Sequence, residues 1–126
     1  MRIRVVGVTD AAGRVVECTT PVGRLHVVWE SASLPSPGDH DVELDLPTVL
    51  EWGCEVWTAT DREPAHDPGR PLLSGTLLGV DEAGVAEVRV PGGLLTVETS
   101  GEPPLGAIGE AVELQPPRVL AYPFDL

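Results

Sequence analysis

Lysine and asparagine do not occur among the 126 residues, and there are only two cysteines, one methionine, one phenylalanine and one tyrosine. All 8 basic residues are arginine, the pattern that codon bias in a GC-rich genome produces without any functional pressure. Without a lysine amine, Schiff-base chemistry and Walker-type nucleotide hydrolysis are excluded. No apolar run reaches the roughly 18 residues that a membrane-spanning helix needs. The opening Met1-Arg2-Ile3-Arg4-Val5-Val6 lacks the apolar core and small-residue cleavage site of a secretory signal. The expected compartment is therefore the cytoplasm. Cys18 and Cys54 form no CxxC pair and are expected there as reduced thiols. Positive charge is also scarce. Twenty acidic residues against 8 arginines give a net charge of -12, which disfavours direct contact with nucleic acid or an anionic membrane surface.

Chain breakers, by contrast, are abundant: glycine occurs 14 times and proline 13 times. That density rules out long helices and favours short strands joined by turns. Apolar residues make up 42% of the chain, enough to bury a core. The length suits one ordinary domain or two very small ones.

The sequence resolves into two copies of one unit. With a shift of 70 positions, Val15, Glu17, Pro21, Gly23, Leu25 and Val27 coincide with Val85, Glu87, Pro91, Gly93, Leu95 and Val97. The same shift lays Val42–Leu50 over Val112–Leu120 with six of nine positions identical. Val6-Gly7-Val8 matches Leu78-Gly79-Val80 at a shift of 72, the difference falling in one turn, where length changes are cheap. Valine- and leucine-rich stretches predict strands at 3–8, 15–20, 24–30, 41–46 and 48–52, then at 75–80, 85–90, 94–99, 111–115 and 118–122. Val42-Glu43-Leu44-Asp45-Leu46 alternates apolar and acidic, as a strand with one wet face does. Pro47 and Pro116-Pro117 mark corners, since proline cannot donate to a ladder.

Five short bent strands per copy predict an all-β fold of two repeated five-stranded small barrels of OB-like kind, because closure removes exposed edges. The expected organisation is a first repeat at 1–53, an extra strand and proline-rich linker at 54–71, and a second repeat at 72–126. Units of about 55 residues hold little core of their own, so the barrels are expected to pack together or share strands.

Leu73-Ser74-Gly75-Thr76-Leu77-Leu78-Gly79-Val80, Leu94-Leu95-Thr96-Val97 and the ending from Gly109 to Leu120 resemble the TOBE and molybdate-binding (Mop-type) small barrels. The resemblance implies tandem OB-like barrels of the kind found as accessory domains of transporter ATPases and as free oxyanion-binding proteins. The oxyanion-binding members carry a Ser-Ala-Arg-Asn-type opening and typically a late lysine. Here the openings are Met1-Arg2-Ile3-Arg4 and Pro71-Leu72-Leu73-Ser74. The resemblance thus implies architecture and no ligand residues.

Signals for chemistry are sparse. His40, His66 and Asp67, with Cys54, are the only candidates for a metal site, and they lack HExxH or CxxC spacing. They read first as solvated turn residues, and no cofactor is expected. His26 reads as a strand-face side chain and Cys18, which aligns with Val88, as core. No serine lies in a G-x-S-x-G elbow, and carboxylates this numerous carry no specificity for paired acid–base work.

The acidity is uneven. From Asp39 to Asp67 run Asp39, Asp41, Glu43, Asp45, Glu51, Glu55, Asp61, Glu63 and Asp67 against Arg62 alone. Such a stretch is either a solubilising surface or a docking face that steers a basic partner. Trp29, Trp52 and Trp57 all fall in the first half. Core packing at the barrel junction is the commoner role for tryptophan, and Trp57, on the extra strand, is the best placed for a partner contact. The reading that follows is a non-enzymatic interaction module docking on a basic protein through Asp39, Asp41, Glu43, Asp45, Glu51, Glu55 and Trp57. The alternatives are a small-oxyanion carrier and a small metal-dependent enzyme. The oligomeric state is left open, a homo-oligomer included.

Overall fold

The computed structural model describes residues 1–59 and 67–124. In the first copy the strands are β1 (Arg2–Asp10), β2 (Val15–Thr20), β3 (Gly23–Trp29), β4 (Gly38–Asp45) and β5 (Leu50–Glu51), and the stretch after it adds β6 (Val56–Thr58). The second copy supplies β7 (Leu73–Val80), β8 (Val85–Val90), β9 (Gly93–Ser100), β10 (Ala111–Leu114) and β11 (Leu120–Pro123). The fold is all-β, and among the described residues no helix is long and apolar enough to cross a membrane.

The duplication is visible in the ladders. β1 pairs with β2 as Arg4↔Thr19, Val5↔Cys18, Gly7↔Glu17 and Val8↔Val16. β7 pairs with β8 as Thr76↔Arg89, Leu77↔Val88, Gly79↔Glu87 and Val80↔Ala86. The partners correspond one for one, and both ladders break register at the same step, Val5/Gly7 and Leu77/Gly79. A bulge at a fixed position bends a strand so that the sheet can curl and close. β2–β3 and β8–β9 repeat the same register, from Val15↔Val28 and Val85↔Glu98 onward.

The barrels are not the repeats. The first is closed in the order β1-β2-β3-β11-β4, so its closing strand β11 comes from the second copy. The other is a sheet of six strands in the order β5-β9-β8-β7-β10-β6, of which β5 comes from the first copy and β6 from the stretch between the copies. The two copies thus exchange their last strands. β11 runs parallel to β3, and β5 runs parallel to β9. The corners at Pro47 and Pro116-Pro117 lead the chain across. β6 lies within the stretch that has no counterpart in the second copy. It pairs with β10, and a single parallel bridge, Trp52↔Val56, all but closes the second barrel. The second body therefore has six strands where the repeat alone predicts five.

Among the antiparallel ladders that the copies share, one register differs. Arg4 faces Asp39 across β1–β4, whereas Thr76 faces Ala111 across β7–β10. By the 70-residue alignment Ala111 corresponds to Asp41, so β4 is slid by two residues. A two-residue slip preserves which side chains point inward, and Val42 and Leu44 stay buried like Val112 and Leu114. Buried side chains from both barrels, among them Ile3, Val27, Leu44, Leu50, Leu77, Val97 and Val119, form one continuous core. Exchange lets two small units share a core that neither could build alone.

Candidate interaction face

On β4 the side chains alternate. Val42 and Leu44 point into the barrel, while Asp39, Asp41 and Glu43 are exposed and Asp45 is half-buried. The exposed acids form a row with the roughly 7 Å spacing of every second strand residue. On one flank is β1, where Arg2 lies 4.0 Å from Asp39 and 3.8 Å from Asp41, and Arg4 faces Asp39 in the ladder. On the other flank is β11, with Tyr122 opposite Glu43. Exposed ion pairs of this kind contribute at most about 1 kcal/mol. Their effect is to mask the Asp39–Asp41 end of the row and leave the charge concentrated at Glu43 and Asp45.

That end opens onto the seam between the barrels. A cleft of about 210 Å³ lies between β4 and β9, lined by Glu43, Asp45, Leu94, Thr96, Met1 and Phe124, with the backbone of neighbouring residues. It continues into a second cleft of about 330 Å³ that shares Asp45 and Thr96 and adds Glu98 and Pro47. Leu94 is 63% and Phe124 57% exposed. Among the described residues lining the two clefts, none has a basic side chain, and the cation there is the Met1 ammonium, which donates to the Val42 carbonyl at 2.8 Å. Leu94, Glu98 and Phe124 have no acidic-run signal in the sequence. Leu94 alone is detectable, as the outward residue of a Leu94-Leu95 pair that breaks the strand's alternation.

The remaining acids lie elsewhere. Glu51 is exposed on β5, opposite Ser100. Glu55 sits in the turn before β6, 3.4 Å from the Arg70 guanidinium, which also lies 3.8 Å from Asp67. Asp67 caps its own turn, its Oδ1 accepting from the Gly69 amide at 2.8 Å. Asp61 and Glu63 lie outside the described residues. The acidic stretch of the sequence is thus divided into a β4 row and a cluster around Arg70. Trp57 is 6% exposed, so its ring packs inside the protein and presents no surface to a partner. Trp52 is buried as well, with its indole Nε1 donating to Thr99 Oγ1 at 3.2 Å and that hydroxyl donating to the Gly84 carbonyl at 2.6 Å.

His40 is on β4 and not in a turn. Its ring meets that of Trp29 edge-on with centroids 5.4 Å apart, and its Nε2 lies 2.8 Å from the Ser36 carbonyl. His66 lies outside the described residues. Among the described residues no three His, Cys, Asp or Glu side chains gather as a metal site. His26 is exposed on β3, opposite Glu17 in the ladder. Cys18 is fully buried, and burial, reinforced by Glu17, pushes its thiol up to about 11. Cys54 is exposed, and the neighbouring Glu51 carboxylate, with smaller contributions that include Glu55, holds its thiol above the ordinary value. A thiol so placed is a weak nucleophile, because the thiolate is the reactive form.

No protein-family model, curated protein or solved structure matches the chain. Its reading therefore rests on its own geometry.

Proposed function

We propose that the protein is a non-enzymatic interaction module, a strand-exchanged pair of small barrels that docks on a basic protein surface through the outward face of β4. The observation that supports this most directly is the continuity of Glu43 and Asp45 on β4 with Glu98 on β9, beside exposed Leu94 and Phe124. Acidic groups beside an exposed apolar patch combine charge steering with an anchor for an apolar side chain. The tandem small-barrel architecture supports the resemblance to TOBE- and Mop-type barrels in outline. An oxyanion carrier receives less support, since Arg24 and Arg70 each face a carboxylate, Glu17 and Glu55 respectively. The cytoplasm is the compartment that goes with this reading.

Affinity capture at low salt, followed by titration of the purified partner, tests it. We expect affinity to fall about tenfold between roughly 50 and 300 mM NaCl, and about as much when Asp41, Glu43 and Asp45 are all replaced by arginine. A partner whose affinity is indifferent to the triple reversal, or no basic partner at all, overturns the reading.

A further inference from the structure

The duplication gives β3 and β9 corresponding stretches beside a cleft, and the two clefts are lined differently. Residues 24–26 of β3 occupy the place in the first barrel that residues 94–96 of β9 occupy in the second. Arg24, Leu25 and His26 face the protein's own segment from Pro68 to Leu72 across a cleft of about 340 Å³. That segment is held in place by Gln115, whose Oε1 accepts from the Asp67 amide at 2.9 Å and whose Nε2 donates to the Asp67 carbonyl at 2.7 Å. Arg70, two residues before Leu72, reaches Glu55.

Beside the other cleft the corresponding residues are Leu94, Leu95 and Thr96, and Asp45 stands where Gln115 stands. Here Met1 and Phe124 flank the apolar end, and the clefts run on past Asp45 to Glu98. The lining is graded, with Met1, Leu94 and Phe124 at one end and Asp45 and Glu98 at the other. Outward residues on β9 recur at the period of an extended chain, so Leu94, Thr96 and Glu98 offer successive positions to a segment lying along the strand.

We infer that the seam between β4 and β9 takes a segment of a partner protein that places a bulky apolar side chain against Leu94 and Phe124 and an arginine or lysine two to four residues away, against Asp45 and Glu98. This rests on the interaction reading above and locates the contact within it. The occupant is basic because the described lining carries Glu43, Asp45 and Glu98 against one cation, the Met1 ammonium, which is already engaged by the Val42 carbonyl. It is an extended segment and not a folded face because Leu94, Thr96 and Glu98 are all outward and exposed at the two-residue period of a strand.

The test uses the full chain and a fluorescein-labelled peptide of roughly 12 residues, Gly/Ser/Pro-based, with leucine followed by arginine at the second and fourth positions. A control peptide of the same composition separates the leucine and the arginines by about eight residues. Anisotropy titrations at about 50 mM NaCl should give saturable binding of the first peptide and binding of the control at least about fivefold weaker. Leu94→Glu, and separately Glu98→Arg, should each weaken binding about tenfold, whereas Asp39→Arg at the masked end of the row should change it less than about twofold. Both sites are exposed, and Leu94→Ser serves as the milder variant should Leu94→Glu lower the melting temperature. Binding that ignores Leu94 and Glu98, or no saturable binding up to about 1 mM, overturns the inference. A homodimer dissociated by Leu94→Glu assigns the seam to a second copy and also overturns it. A natural partner sensitive to Asp41→Arg but indifferent to Leu94→Glu and Glu98→Arg sinks the seam and leaves the interaction reading standing. Absence of any salt-sensitive partner sinks both.

Discussion

Near the start of β1 the first barrel carries Ile3, 2% exposed, on the inward face it shares with Cys18 and Thr20. At the equivalent point of β7 the second barrel carries Gly75, and the matching residues of β8 are Val88 and Val90. A Cβ built on Gly75 would lie 2.5 Å from the Arg89 carbonyl oxygen, 2.7 Å from a Val88 methyl and 3.0 Å from a Val90 methyl. One copy therefore accommodates a buried isoleucine at this place, and the other closes over a glycine. The same ladder has been packed by opposite means, which close-packed interiors allow so long as the total volume is met. Identical skeletons do not make the two cores interchangeable.

Exchanging the residues is the strongest way to break this comparison. Gly75→Ile gives the second barrel the first barrel's residue and should cost at least about 4 kcal/mol, because a backbone carbonyl cannot swing aside as a side chain can. Val88→Cys added to it should recover only part of the loss, since the Arg89 carbonyl remains. Ile3→Gly should cost about 4 kcal/mol by the opposite route, a cavity plus added chain entropy. Urea unfolding followed by tryptophan fluorescence measures all three. A Gly75→Ile protein within about 1 kcal/mol of the parent would falsify the close approach.

The exchanged strands sharpen the contrast further. Trp52 and Tyr122 are aligned, yet Trp52 is 8% and Tyr122 43% exposed. β5 sets Leu50 opposite Thr99, while β11 sets Leu120 opposite Val28, a difference of one residue in the parallel pairing. β3 ends in the buried indole of Trp29, whereas β9 has only Thr99 at that place. Trp52 fills the resulting space and hydrogen-bonds to the threonine that made room for it. Trp52→Ala should therefore cost about 3–4 kcal/mol and Tyr122→Ala less than about 1 kcal/mol, although both sit on closing strands. Equal costs for the two would mean that strand closure matters and the indole does not.

Much of this was readable in the sequence. Repeated Val-Gly-Val and Leu-Gly-Val triplets locate the shared bulge, the prolines locate the corners, and alternation at 42–46 locates the wet face that bears Glu43. Strand exchange was not readable, because Leu50 and Leu120 carry the same apolar signal whichever barrel they enter. Period-2 patterning fixes the face of a strand and says nothing of which sheet receives it. Trp57 drew attention as an aromatic on an unmatched strand, but Val56, Trp57 and Thr58 are all buried, so β6 shows no alternation from which a surface could be inferred. Asp39-His40-Asp41 has the composition of a turn, and the two-residue slip of β4 draws it into the sheet under Trp29. Half of the candidate seam, Leu94 and Glu98, lies 27 and 31 residues beyond Asp67, the end of the acidic run that points to the other half.

A contrast smaller than that between Ile3 and Gly75 concerns Cys18, whose place in the second barrel is held by Val88. Its Sγ lies 3.5 Å from the Leu25 carbonyl, and burial holds the thiol in its protonated form up to about 11. In the unfolded chain the same thiol ionises at its ordinary, lower value. Over the interval between the two, the unfolded state has released a proton that the folded state keeps, so ionisation favours unfolding. The thiol's contribution is thus fully present at neutral pH and is lost as the pH rises through that interval. Cys18→Val removes the titrating group and copies the second barrel's solution. Its stability relative to the parent should be constant from about pH 6 to 8 and should then improve on alkaline titration, by on the order of 2 kcal/mol at the top of the range. Cys54 is present in both proteins and cancels from the difference. Urea midpoints at closely spaced pH values give the comparison directly, and a gap between the two proteins that stays level to pH 11 would mean that the Cys18 thiol is not held by burial.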